Sequence, residues 1–124
     1  MKKIILTIVS LWFALCSCGR NQTVGVNEFE KQLIATQGEQ LIDVRTPQEF
    51  EESRIKNAKN IDFRNPNFRQ EIEKLDKTKP VLVYCRSGVR SKSSLAVFQD
   101  AGFKTVYNLG GGIIAWSNAQ KPIE

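Results

Sequence analysis

The chain has 124 residues, 41% of them hydrophobic and 25% charged, which suits one globular domain with a short appendage and excludes a disordered or fibrous chain. Its formal net charge is +5, it carries three cysteines and it contains no histidine. The missing histidine excludes a Ser-His-Asp triad, a His-paired cysteine nucleophile and any histidine-containing metal site, so proton chemistry falls to carboxylates, Lys, Tyr, Cys or the substrate itself.

The first segment reads as a leader. Lys2 and Lys3 precede an apolar run from Ile4 to Leu15, broken only by Thr7 and Ser10. The run is shorter than the roughly 20 residues that a spanning helix needs. Charge, a short apolar run and then small residues form the pattern of a secretory signal. The competing reading, a buried N-terminal helix, is disfavoured because no polar face interrupts the run. Leu15-Cys16-Ser17-Cys18-Gly19 resembles a bacterial lipobox, in which a cysteine becomes the lipidated first residue of the mature protein. Cys18 follows small Ser17 and is the better candidate for lipid attachment; Cys16 follows bulky Leu15. The expected organisation is a signal peptide over 1–17, a lipidated tether over 18–23 and one domain over 24–124. Such a protein would sit at the membrane of a bacterial cell envelope and face the periplasm or exterior. Losing residues 1–17 also removes Lys2 and Lys3, two of the five excess positive charges. The basic balance is then weak evidence for nucleic acid, and none is expected as a partner.

Beyond the leader, helical and extended patterns alternate. Asn27 is expected to cap a helix that runs to about Gln37, with Phe29, Leu33 and Ile34 as its apolar stripe and Gly38 as its end. Leu41 to Val44 reads as a short buried strand. Thr46-Pro47-Gln48-Glu49 reads as a helix start, with Thr as cap, Pro at the first helical position and Glu at the third. Ala58 to Ile61 suits a minor strand, and Asn67 to Leu75 a helix that buries Phe68, Ile72 and Leu75. Pro80 to Cys85 is a continuous apolar run, the mark of a central parallel strand covered on both faces. A helix over Ser91–Ala101 follows, closed by Gly102. Thr105 to Leu109 is the next strand, then Gly110-Gly111-Gly112 and a last short helix holding Trp116. The alternation predicts an α/β domain with a mostly parallel sheet.

Chemistry concentrates after the central strand. Cys85 is the only cysteine inside the domain and stands at that strand's carboxyl end, where open α/β sheets bind ligands. Arg86, Ser87, Gly88, Val89, Arg90 and Ser91 follow it and form the expected substrate-binding loop. Gly88 permits a tight turn, successive amides can form an anion nest, and the helix N-terminus adds partial positive charge. With Arg86 and Arg90 these should make Cys85 a thiolate near neutrality. An inert small hydrophobe is the alternative reading of Cys85. Neither a metal nor a cofactor is implied.

Cys85-Arg86-Ser87-Gly88-Val89-Arg90-Ser91 resembles the active-site loop of the rhodanese-like sulfurtransferases. Asp43-Val44-Arg45 with Glu49-Phe50 is similar to that family's "DVR…E-[FY]" segment, as are Ile55, Ala58, Asn60 and Ile61 to its "I…A…N-I" positions and Gly111-Gly112 with Trp116 to its "GG…W". The likeness runs over about 24–120. It implies a five-stranded parallel sheet flanked by helices. It also implies a catalytic Cys85 that takes sulfur from a small anionic donor such as thiosulfate as a persulfide and passes it to a thiol, cyanide or protein acceptor. Where the family often has Gly-His-Ile-x-Gly, this chain has Ser53-Arg54-Ile55-Lys56-Asn57; Asn57 can replace a turn glycine, Ser53 less readily.

Asp43, Arg45 and Glu49 read as one structural ion-pair set, and Trp116 as a core anchor. Two rivals remain. A cysteine phosphatase or arsenate reductase is disfavoured because four residues, not five, separate Cys85 from Arg90, which makes the cradle smaller. A catalytically silent docking module is disfavoured by the intact Cys85. A monomer is expected. The stretch Lys77 to Gln99 holds Lys77, Lys79, Arg86, Arg90 and Lys92 and no acid, so excess positive charge should surround the cysteine loop.

Overall fold

The computed structural model describes residues 20–124, so the leader, Cys16 and Cys18 lie outside the described residues. The elements are β1 (Arg20–Val24), α1 (Val26–Ala35), β2 (Leu41–Asp43), α2 (Pro47–Glu52), β3 (Lys59–Asn60), α3 (Phe68–Ile72), β4 (Val81–Tyr84), α4 (Val89–Asp100), β5 (Thr105–Leu109) and α5 (Gly112–Asn118). The strands form one sheet in the order β1-β5-β4-β2-β3, and every pairing is parallel. The expected five-stranded parallel sheet flanked by helices is therefore what the chain builds.

β4 is central, and its side chains alternate between two apolar layers. Val81, Val83 and Cys85 pack with Phe68, Ile72 and Phe98 beneath α3 and α4. Leu82 and Tyr84 pack with Phe29, Ile113 and Trp116 beneath α1 and α5. Both faces are covered, so no polar residue interrupts the strand. Trp116 is the anchor expected: it is buried, meets Phe29 edge-on at 6.1 Å and donates its ring N–H to the Pro122 carbonyl at 2.9 Å.

Five expectations need correction. Arg20–Val24 is an edge strand paired with β5 along its whole length, from Arg20 against Thr105 to Val24 against Leu109, whereas a tether was expected through Thr23. Backbone pairing forms it, since Val24 is its only apolar residue. Gly25 rather than Asn27 is the N-cap of α1, and Ile34, expected in the apolar stripe, is 71% exposed. α1 closes with the Gln37 amide on the Ile34 carbonyl and the Gly38 amide on the Leu33 carbonyl, and Gln37 is left-handed as well as Gly38. α3 stops at Ile72 rather than Leu75, and α4 begins at Val89, two residues before the expected start.

α2 begins as expected. Thr46 accepts the Glu49 amide at 3.3 Å, and its hydroxyl donates to the Glu49 carboxylate at 3.2 Å. The departures at 53–57 are resolved by backbone conformation. Asn57 is left-handed, with φ 69°, as expected of a glycine substitute. Ser53 is extended, with φ −168°, so the position makes no demand for glycine.

Candidate active site

The central strand ends at Tyr84, and the next turn is set by three consecutive residues, Arg86 to Gly88, before α4 begins at Val89. Gly88 is the N-cap of α4 and has φ 95°, a left-handed conformation open to glycine. That reversal folds the loop back over the Cys85 side chain. The Gly88 amide donates to Cys85 Sγ at 3.1 Å and the Ser91 hydroxyl donates to it at 3.3 Å. Ser91 is itself fully buried, in the first turn of α4. It is thus placed beneath the sulfur rather than at the open mouth.

Burial of Cys85 opposes its ionisation. The Ser91 hydroxyl and the amides of Ser91, Gly88 and Ser87 outweigh that cost and hold the thiol below its ordinary pKa. The lowered pKa is the one expected, and hydrogen-bond donors at the start of a helix supply it.

The donors face inward because the loop's carbonyls are taken elsewhere. The Ile113 amide donates to the Cys85 carbonyl at 2.9 Å and the Ile114 amide to the Arg86 carbonyl at 3.2 Å. These are amides from the first turn of α5, which lack partners within their own helix. Gly112 has φ 59°, and a side chain there would strike the Arg86 carbonyl and lie 2.5 Å from the Cys85 carbonyl. The Gly110-Gly111-Gly112 turn therefore brings its backbone close against the cysteine loop. Asn108 adds a third tie: its amide donates to Thr23 Oγ at 3.1 Å and to the Gly88 carbonyl at 3.4 Å.

The arginines are not alike. Arg86 is exposed and makes no ion pair among the described residues. Arg90 makes a bidentate pair with Glu49, at 2.8 and 3.0 Å, across the gap between α4 and α2. Asp43 and Arg45 form a separate buried pair at 2.7 Å, so Glu49 does not belong to the structural set with which it was grouped. Arg90 holds the Glu49 carboxyl down to about 2, against the cost of burial, with Thr46 contributing.

The expected belt of positive charge is also redistributed. Lys77 pairs with Glu73 at 2.6 Å and Lys79 with Glu39 at 2.5 Å, and both precede β4, at the amino end of the sheet. Of the five cations in that stretch, Arg86 and Lys92 are exposed and without an ion pair among the described residues. Ser87 and Val89 are exposed at the rim, Val89 by 69%.

A cleft of about 320 Å³ opens beside the loop, bordered by Arg86, Glu49, Ser53, Ile113 and Ile114. It touches the cysteine loop at Arg86, while Cys85 itself is 1% exposed within its own turn. Glu49 and the α5 amides are the site groups missed in the sequence reading. The signal for Glu49 was its place at the third position of a capped helix, but nothing local names its partner across 41 residues.

A profile of the rhodanese-like domain matches residues 26–119. Rhodanese-like domain-containing protein 17 of Arabidopsis thaliana is 34% identical over 114 residues, covering 82% of this chain and 72% of that protein. A thiosulfate sulfurtransferase of Vibrio cholerae is 37% identical over 84 residues, covering 68% of this chain and 77% of that protein. The crystal structure of a rhodanese-related protein from Thermoplasma volcanium superposes with a TM-score of 0.72 at 24% identity, covering 84% of this chain and 98% of that one.

Proposed function

The chain belongs to the rhodanese-like domain family, and from that premise we propose that it is a sulfurtransferase working through a persulfide on Cys85. In the first half-reaction the Cys85 thiolate attacks the outer sulfur of thiosulfate or a similar donor. A new S–S bond forms, the donor's S–S bond breaks, and its electron pair departs with sulfite. In the second, a thiol, cyanide or protein nucleophile attacks the outer sulfur, and the electron pair of the broken bond returns to Cys85. No histidine is required, because the Ser91 hydroxyl and the loop amides favour the thiolate. The loop amides stand ready for the negative charge of the terminal sulfur, and exposed Arg86 draws the anionic donor.

The observation that carries this reading is the convergence of the Gly88 amide and the Ser91 hydroxyl on the Cys85 sulfur. The activity named for the Vibrio cholerae relative supports it. A phosphatase reading fares worse: α4 starts three residues after Arg86, and Arg90 is spent on Glu49 rather than aimed at a tetrahedral oxyanion. A silent docking module is the second reading, and the burial of Cys85 favours it. Mass spectrometry of residues 20–124 after thiosulfate treatment separates the two. Addition of one sulfur atom, removable by cyanide as thiocyanate and absent from Cys85→Ser, is the expected result; no added mass would sink the proposal.

We also propose that the domain is held at an envelope membrane through lipid on Cys18, a residue outside those described. Incorporation of labelled fatty acid that is lost in Cys18→Ala, and retained in Cys16→Ala, is the expected outcome.

A further inference from the structure

The Glu49–Arg90 pair spans from the N-terminal turn of α2 to that of α4, two residues after Gly88. Arg90 is close enough to feel the Cys85 charge, and its side chain is 20% exposed, so its field reaches the sulfur and the mouth above it. Glu49 lines the cleft beside the loop and is 28% exposed. Both nitrogens of the Arg90 fork that face Glu49 are occupied by its two carboxylate oxygens. A bidentate pair of this kind presents almost no net charge to an approaching ion.

We propose that Glu49 is a specificity-determining residue of the site: by cancelling Arg90 it limits the donor-attracting charge at the mouth to Arg86, and so sets how strongly small dianions are preferred over uncharged sulfur donors. The inference rests on the sulfurtransferase reading and deepens it. Glu49 makes no hydrogen bond to the sulfur and acts through Arg90. Two uncompensated arginines would bind thiosulfate more tightly. They would also retain sulfite, the product anion, and bias the cleft against uncharged or bulky donors. One free arginine leaves the cleft, with Ile113 and Ile114 along its wall, open to both kinds.

A charge cycle on the soluble domain tests this, using thiosulfate as the anionic donor and a dialkyl trisulfide as the uncharged one; Cys85 attacks the central sulfur of the latter, one S–S bond breaks, an alkyl thiolate leaves and a mixed trisulfide stays on Cys85. Glu49→Gln unmasks Arg90 and should lower the KM for thiosulfate about threefold to fivefold at low salt, the size expected of one unit charge acting on a dianion at about 10 Å in a largely aqueous medium. The KM for the trisulfide should move less than twofold. The gain should vanish at 1 M salt, where the screening length is about 3 Å. Arg90→Gln leaves an uncompensated carboxylate and should raise the thiosulfate KM. The double variant, in which both charges are gone, should return it to near the wild-type value. A scaffold role predicts the reverse: each single variant impairs both donors, and the double variant is no better. That result, or a thiosulfate KM that Glu49→Gln leaves unchanged or raises, would overturn the proposal. Failure of the wild-type domain to form a persulfide with thiosulfate would instead overturn the sulfurtransferase reading.

Discussion

Ser91 is a single hydroxyl with an unusual post: fully buried, inside a helix, pointing at a sulfur 3.3 Å away. Its own backbone carbonyl accepts the Ser94 hydroxyl at 2.6 Å, so two serines fill a space that an apolar helix face would close with aliphatic groups. A hydrogen bond to a charged group is worth about 1.5–3 kcal/mol, and one pKa unit corresponds to about 1.4 kcal/mol. Ser91→Ala removes a donor that favours the thiolate, so the Cys85 pKa should rise. The pH profile of alkylation by iodoacetamide measures it, and an unshifted profile would assign the thiolate to the backbone amides alone. Glu49 makes a prediction of opposite sense. Its carboxyl is held at about 2 in the folded protein, by Arg90 first, against an unfolded value of 4.5. Stability from the pair is thus complete above pH 4.5 and is lost as pH falls through the folded value. Part of the pair faces solvent, which leaves about 1–2 kcal/mol of the linkage. Urea unfolding should show wild type losing that advantage over Glu49→Gln between pH 5 and pH 2.

The start of α5 decides the shape of a loop that lies 25 residues earlier in the chain. Amides of Ile113 and Ile114 hold the carbonyls of Cys85 and Arg86, which turns the opposite edges of those peptides toward the sulfur. Gly112→Ala would drive a methyl group into backbone rather than into a side chain that could swing away, at a left-handed φ of 59°. The expected outcome is loss of persulfide formation by at least a hundredfold, together with a lower unfolding midpoint. Gly25→Ala is the control, since a methyl group there meets nothing within 4 Å. Comparable activity in the two variants would detach α5 from the site. Element by element, the chain displayed what was written in consecutive residues. β4 is one apolar run, α2 is Thr-x-x-Glu with Pro between, and the cysteine loop is seven residues in a row. What it hid depends on long-range geometry or on backbone alone. β1 carries Arg20, Asn21, Gln22 and Thr23, and no side-chain alternation betrays a strand that exists by pairing with β5. The partner of Arg90 lies 41 residues away, and the basic stretch looked continuous only because sequence order conceals that Lys77 and Lys79 precede β4 while the loop follows it.

With every strand parallel, the two ends of the sheet have different tasks. Arg20, at the start of β1, is on the amino end, and Cys85 is on the carboxyl end. β1 has five residues, and at about 3.3 Å per residue the sheet separates the two ends by roughly 15 Å. Because Arg20–Val24 is already paired in the sheet, at most Gly19 lies between the proposed lipid on Cys18 and β1. A domain anchored so closely would have little freedom to roll over, and its amino end would rest at the headgroups while the cysteine loop faced outward. Arg86 would then meet donors arriving from the aqueous side rather than the lipid surface. The lipidated protein should therefore turn over thiosulfate in vesicles at nearly the rate of the soluble domain. A fluorophore attached to Cys85 should be quenched by aqueous iodide and spared by brominated lipid. Strong quenching by the lipid would reverse the orientation, and would mean that the site takes its acceptor from the membrane itself.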